Sequence, residues 1–176
     1  MKKFISTALC ILLSTPLAFS QSKPETKWKV EDKHGPTTTT EFDVTEGTWL
    51  DLDVSPDGKT IVFDLLGDIY TMPITGGEAK VICTGTPWEV QPRYSPNGKL
   101  ISFTSDREGG DNIWVMNADG SKPHSITHEN FRLLYNAAWL PDNMGLVAKK
   151  HLTAGRSLGA GEMWQYHIAG GTGLQL

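Results

Sequence analysis

Cysteine is scarce in this chain of 176 residues, which contains only Cys10 and Cys83. Cys10 lies in an apolar leader that we expect to be removed, so Cys83 has no partner for an internal disulfide. Cys83 ends the run Ala79–Cys83, a setting typical of a small buried side chain and not of a reactive thiol. The sequence therefore excludes a fold held together by disulfides.

Three motifs that are typical of catalytic, metal and nucleotide sites are also missing: the chain has no H-E-x-x-H, no C-x-x-C and no phosphate-binding loop. The five histidines are scattered, whereas zinc needs three or four ligands that converge. We expect no catalytic residue, metal or cofactor in this chain. A net charge of −4 with dispersed charges argues against nucleic acid as a partner.

Long apolar runs are confined to the first twenty residues, which have the organisation of a signal peptide. Lys2 and Lys3 precede the apolar stretch 4–13, and Ala18-Phe19-Ser20 supplies a cleavage site. The stretch is too short to span a membrane. We therefore expect an exported protein, periplasmic or extracellular, with no membrane attachment after cleavage. Residues 21–36 predict a flexible lead-in, and the β-branched segment 37–44 predicts a strand.

A repeated turn organises the rest of the chain. Ser55-Pro56-Asp57-Gly58-Lys59 returns as Ser95-Pro96-Asn97-Gly98-Lys99 and, in altered form, as Leu140-Pro141-Asp142-Asn143-Met144. A repeat of about 40 to 50 residues rich in short strands is typical of propeller blades. The sequence predicts an all-β fold, a partial β-propeller of about three four-stranded blades at 49–85, 88–129 and 134–176. No segment has helical periodicity, so we expect no helix beyond the leader.

The turn residues have a physical role in this prediction. Proline presets φ, and Gly58 and Gly98 supply the positive φ that returns the chain into the next strand. Asn143 replaces glycine in the third copy and is the next best residue for that conformation. Three blades do not close a ring, so we expect the chain to be the N-terminal fragment of a larger propeller.

The innermost strand of each predicted blade alternates polar and apolar residues. Asp51, Asp53, Gln91 and Arg93 fall on one face, because successive side chains of a strand point to opposite faces. One hypothesis is that these four residues line a substrate or docking channel. The alternative is that Arg93 pairs with an aspartate of the neighbouring blade and locks the two blades together.

The loops between the second and third strands grow along the chain, from two residues in the first blade to about ten in the third. Growth on one face of a repeat array is typical of a binding or docking face. Arg107 and Arg156 lie in the two longer loops and are candidate binding residues. The alternative is that both are solvated loop charges.

Several stretches carry a family resemblance. Phe103-Thr104-Ser105-Asp106-Arg107, Asn112-Ile113-Trp114-Val115-Met116 and Asp119-Gly120-Ser121 resemble the repeat of TolB-like propellers. More narrowly, 43–49, 63–70 and 156–164 are similar to the N-terminal part of exported proteins that join such a propeller to a C-terminal amidohydrolase.

The narrower resemblance implies hydrolysis of non-peptide C–N bonds in a further domain, which would hold a divalent metal such as zinc. The propeller would serve substrate access or dock its own C-terminal domain. Two alternatives stay open: a TolB-like periplasmic protein that binds envelope proteins without catalysis, and the propeller of a serine peptidase of the prolyl oligopeptidase kind.

Overall fold

The computed structural model describes residues 29–152 and 160–176. The predicted signal peptide and the candidate residue Arg156 lie outside the described residues. Among the residues that are described, no helix is long and apolar enough to cross a membrane.

Within these described ranges, twelve strands form three antiparallel four-stranded sheets, and in each sheet the strands follow chain order. This confirms the all-β prediction and the partial propeller of three blades. Blade 1 contains β1 (Leu52–Val54), β2 (Thr60–Leu65), β3 (Asp68–Pro73) and β4 (Lys80–Cys83). Blade 2 contains β5 (Glu89–Tyr94), β6 (Leu100–Ser105), β7 (Asn112–Asn117) and β8 (His124–Ser125). Blade 3 contains β9 (Leu134–Trp139), β10 (Gly145–His151), β11 (Gly161–His167) and β12 (Leu174–Gln175).

The repeated turn adopts the conformation that its sequence predicts. Gly58, Gly98 and Asn143 have φ values of 71°, 69° and 62°. Each donates its backbone N–H to the carbonyl three residues earlier, at 2.8, 2.8 and 3.1 Å. Asparagine therefore replaces glycine in the third blade without a change of turn geometry.

The strand predicted at 37–44 is wrong. The described residues from 36 to 50 contain no strand, and Phe42 and Val44 are 61% and 50% exposed. A strand is stable only when a neighbouring edge pairs with its backbone groups. Residues 40–47 instead line a groove of about 1030 Å³ against one face of blade 1, beside Phe63 and Tyr70.

The apolar core lies between the blades, as two separate clusters. Blades 1 and 2 bury a cluster that includes Val62, Ile69, Phe103 and Cys83. Cys83 is 7% exposed, which confirms that it is a buried side chain. Blades 2 and 3 bury the second cluster, of Ile113, Val115, Ile126, Leu134, Ala137, Leu146, Ala148 and Tyr166.

Candidate functional site at the blade junctions

The innermost strands β5 and β9 are irregular at one repeated position. Gln91 and Asn136 both adopt positive φ, 60° and 54°, and the strand pairing shifts register around each of them. Such a bulge takes the backbone N–H of one residue out of its own ladder. In both blades the preceding blade accepts a hydrogen bond from that N–H.

Asp64 accepts this N–H at the junction of blades 1 and 2. It is 4% exposed, and its Oδ2 accepts from Gln91 N at 2.7 Å while Oδ1 accepts from Asp51 N at 3.0 Å. Burial raises the pKa of the Asp64 carboxyl, and the two backbone hydrogen bonds act in the opposite direction. Asp64 was not predicted from the sequence. A signal was present, because Asp64 lies two residues after the apolar Val62 and therefore on the same face of its strand, where a carboxylate needs hydrogen-bond donors.

The predicted channel residues Asp51, Asp53 and Arg93 meet across the same junction. Arg93 NH2 lies 3.1 Å from Asp51 Oδ1, and Arg93 NH1 donates to the Leu52 carbonyl at 3.3 Å. Asp53 Oδ2 accepts from Tyr94 N at 2.8 Å. The pairing of Arg93 with an aspartate of the neighbouring blade is therefore present, and the channel-lining role stays a prediction.

Gln91, the fourth predicted channel residue, acts at the junction of blades 2 and 3. Its Oε1 accepts from Asn136 N at 2.9 Å and from Thr104 Oγ1 at 3.4 Å. A second contact joins the same blades, because Trp139 Nε1 donates to the Arg93 carbonyl at 3.0 Å. All four residues thus take part in hydrogen bonds between blades.

Arg107, in the loop between β6 and β7, lies over the junction of blades 1 and 2. Its Nε donates to Glu89 Oε1 at 2.5 Å and its NH2 to Cys83 Sγ at 3.4 Å, and the guanidinium lies 5.9 Å from the centre of the Trp114 ring. Burial alone would lower the pKa of Arg107, but the hydrogen bond and charge of Glu89 outweigh it and hold that pKa above its usual value.

The Arg107 side chain is 16% exposed, so the alternative of a solvated loop charge is wrong for this residue. The outer nitrogen NH1 binds Glu31 Oε1 at 2.9 Å, and Glu31 comes from the segment before the first blade. The binding role predicted for Arg107 and Arg156 on the loop face stays a prediction, and Arg156 lies outside the described residues.

The cysteine beneath Arg107 is a poor nucleophile. Burial and the nearby Glu89 carboxylate raise the pKa of the Cys83 thiol to about 12. A thiol with such a pKa carries almost no thiolate at neutral pH. Cys83 therefore serves packing and offers Arg107 a weak acceptor.

Blade 3 contains a second buried cation of the same kind. Lys150 is 7% exposed, pairs with Glu129, and places Nζ 4.1 Å from the centre of the Trp164 ring. Trp114 and Trp164 occupy the equivalent place in β7 and β11. Each is therefore covered by a cation that is paired with a glutamate.

The described residues contain no group of three or more His, Cys, Asp or Glu side chains placed to share a metal ion. The pentapeptide Gly155-Arg156-Ser157-Leu158-Gly159 has the G-x-S-x-G spacing and lies outside those residues. That motif marks a nucleophile only between a strand and a helix. Here the elements on either side are the strands β10 and β11, so the spacing alone predicts no catalytic serine.

The profile of the family described as TolB beta propeller domain matches residues 38–161, more than half of the 176-residue chain. The chain belongs to the TolB β-propeller family. The matched range of this TolB-family propeller contains the inner strands β1, β5 and β9, the bulges at Gln91 and Asn136, and Arg107.

Related proteins match only a part of their own length. An uncharacterised protein of Agrobacterium fabrum is 39% identical over 77 residues, which cover 42% of this chain and 26% of that protein. Tricorn protease homolog 1 of Streptomyces coelicolor is 29% identical over 73 residues, 42% of this chain and 7% of that protein. The structure of a TolB from Agrobacterium tumefaciens superposes with a TM-score of 0.63 at 25% identity, over 74% of this chain and 50% of that one.

Proposed function

We propose that this TolB-family chain is a rigid docking and substrate-access platform in an exported hydrolase of the amidohydrolase kind. The reaction, hydrolysis of a non-peptide C–N bond, takes place in a further domain. The propeller provides the wall against which that domain and its substrate are positioned.

One observation carries the platform role. Polar side chains of the inner strands, which could have faced a ligand, join neighbouring blades through Asp53, Gln91 and the Asp51–Arg93 pair, and Asp64 of β2 adds a further link. Groups fixed in this way resist relative motion of the blades. A stiff array suits positioning, because a docking surface that is already ordered loses little freedom on binding.

The amidohydrolase part rests on the resemblance of 43–49, 63–70 and 156–164 to the propeller portion of such enzymes. The described residues do not fit a zinc ion, because they contain no converging set of ligands. The metal would be held by histidines and aspartates of the further domain, and no step of the reaction involves residues of these blades.

A TolB-like binding protein without catalysis is the second candidate. It is favoured by the family match and by the superposition on the TolB structure, which covers 74% of this chain. In that case the same rigid platform would contact envelope proteins.

The test uses the complete open reading frame that contains this chain, expressed with its leader. We expect a processed protein in the exported fraction, and hydrolysis of N-acyl amino acids or cyclic amides that is lost on chelation and restored by Zn²⁺. Labelling by a fluorophosphonate would overturn the proposal in favour of a serine peptidase. Absence of hydrolysis together with stable capture of envelope proteins would overturn it in favour of the binding protein.

A further inference from the structure

The guanidinium of Arg107 is fixed on three sides by the blades. Glu89 is fully buried and accepts from Nε at 2.5 Å, and Cys83 and the Thr84 carbonyl accept from NH2 at 3.4 and 3.5 Å. The guanidinium carbon lies over the Trp114 ring, 5.9 Å from its centre. A guanidinium held in this way is preorganised, so a further partner of NH1 binds with little loss of side-chain freedom.

The partner of NH1 is a carboxylate that can leave. Glu31 Oε1 lies 2.9 Å from NH1, and its side chain is 54% exposed, whereas that of Arg107 is 16% exposed. Near Glu31, Asp32 N donates to the Lys29 carbonyl at 3.1 Å, and a ring nitrogen of His34 lies 2.7 Å from the same oxygen. The contacts of Arg107 with Glu89, Cys83 and the Thr84 carbonyl use Nε and NH2, so they stay in place when Glu31 leaves NH1.

We propose that NH1 of Arg107 is a carboxylate-binding site on the loop face of the propeller, and that Glu31 is its resident ligand. The exchangeable ligand is an acidic side chain in an extended peptide segment of a partner. The N-terminal segment therefore competes with that partner for one position over the junction of blades 1 and 2.

The charge balance defines what the site selects. Glu89 already neutralises Arg107, so the site has little long-range attraction for anions and selects a carboxylate by hydrogen-bond geometry. Because the competitor is tethered, its effective concentration is in the millimolar range, and free acidic peptides compete only at similar concentrations. The site therefore suits a partner that is itself held close to the propeller.

The experiment measures binding and does not depend on hydrolysis. The full chain, labelled with ¹⁵N, is prepared as wild type and as Glu31→Gln. Both are titrated with a capped peptide of residues 28–36 and with the same peptide carrying Gln in place of Glu31. Both peptides carry Asn in place of Asp32, so that the first has one side-chain carboxylate and the second has none. The readouts are the Nε–H signal of Arg107 and the indole N–H signal of Trp114.

We expect the glutamate peptide to shift both signals in Glu31→Gln with an affinity at least about threefold higher than in wild type, since the tethered competitor is gone. The glutamine peptide should shift neither signal. Glu108→Gln, which changes an exposed carboxylate of the same loop, should titrate as wild type. Arg107→Lys keeps a cation for Glu89 and should fold but bind neither peptide.

Three results would overturn the proposal. The first is equal titration of wild type and Glu31→Gln, because Glu31 would then not occupy the site. The second is equal shifts from the two peptides, because the site would then not depend on the Glu31 carboxylate for binding. The third is no shift in a folded Glu31→Gln chain at several millimolar peptide, roughly the effective concentration of the tethered residue. That result would leave Arg107 as a packing residue only.

Discussion

The junction of blades 1 and 2 and the junction of blades 2 and 3 use the same donor position, but the acceptors differ in chemistry and come from different strands, β2 and β5. At the first junction a buried carboxylate, Asp64, accepts the N–H of the bulged residue Gln91. At the second junction a neutral amide, Gln91 Oε1, accepts the N–H of the bulged residue Asn136. The repeat therefore determines which backbone N–H needs an acceptor. Blade 1 supplies a carboxylate, and blade 2 supplies a side-chain amide oxygen.

The buried cations show the same contrast. Arg107 pairs with Glu89, which is fully buried, and also reaches Cys83 in the preceding blade. Lys150 pairs with Glu129, whose side chain is 24% exposed. The first junction thus contains more buried charge than the second, and it should lose more stability when a single partner is removed.

The largest effect is expected for Glu89→Ala, which leaves the Arg107 charge buried without its main partner. We expect the free energy of unfolding to fall by about 3 to 5 kcal/mol. The matched change at the second junction, Glu129→Ala, should cost about 1 to 3 kcal/mol, because solvent reaches that pair. Urea unfolding of both variants measures the difference, and equal losses would remove the contrast between the junctions.

Asp64→Asn is expected to have the next largest effect. An amide can replace only one of the two acceptor oxygens, so either Asp51 N or Gln91 N loses its partner, at a cost of about 1 to 3 kcal/mol. Thr104→Val changes the equivalent place of blade 2, where the hydroxyl makes one long contact of 3.4 Å with Gln91. A loss for Thr104→Val as large as that for Asp64→Asn would contradict the assignment.

Gln91→Asn tests the neutral junction. Asparagine tolerates positive φ, but its side chain is one carbon shorter and should not reach Asn136 N. We expect a loss of about 0.5 to 1.5 kcal/mol in thermal or urea unfolding. If water hydrogen-bonded to Asn136 N in place of Gln91, the same change would leave the free energy of unfolding unaltered, which would contradict this assignment.

The smallest effect is expected for the exposed pair of the first junction. A double-mutant cycle of Asp51→Asn and Arg93→Gln should give a coupling of about 0.2 to 1 kcal/mol that decreases in high salt. The two side chains are 42% and 31% exposed, which limits the interaction. A coupling that salt does not change would indicate that the pair is shielded from solvent.

Much of this fold could be predicted from the sequence, because the repeat carries its own turn chemistry. The chain forms three four-stranded sheets, as the repeat predicts, and positive φ at Asn143 follows from its alignment with Gly58 and Gly98. The segment 37–44 was mispredicted because β-branched composition does not reveal whether an edge is available for pairing. Local sequence predicts a strand well only where the strand that pairs with it follows directly in the sequence, as in a hairpin.

The site was harder to predict for a related reason. Period two placed Asp51, Asp53, Gln91 and Arg93 on one face, and the neighbouring blade decided what they contact. Asp64 and Glu89 were missed because a buried carboxylate is recognisable only when its donors are known, and these come from 27 and 18 residues away.

Amide hydrogen exchange at Gln91 N and Asn136 N tests most directly the claim that each blade accepts the bulge N–H of the next. We expect both amides to be protected in the wild-type chain. Asp64→Asn should accelerate exchange at whichever of Gln91 N and Asp51 N loses its acceptor, and leave Asn136 unchanged. Gln91→Asn should accelerate exchange at Asn136 and leave position 91 unchanged. Exchange of both amides at the rate of an unstructured chain in the wild type would contradict the account.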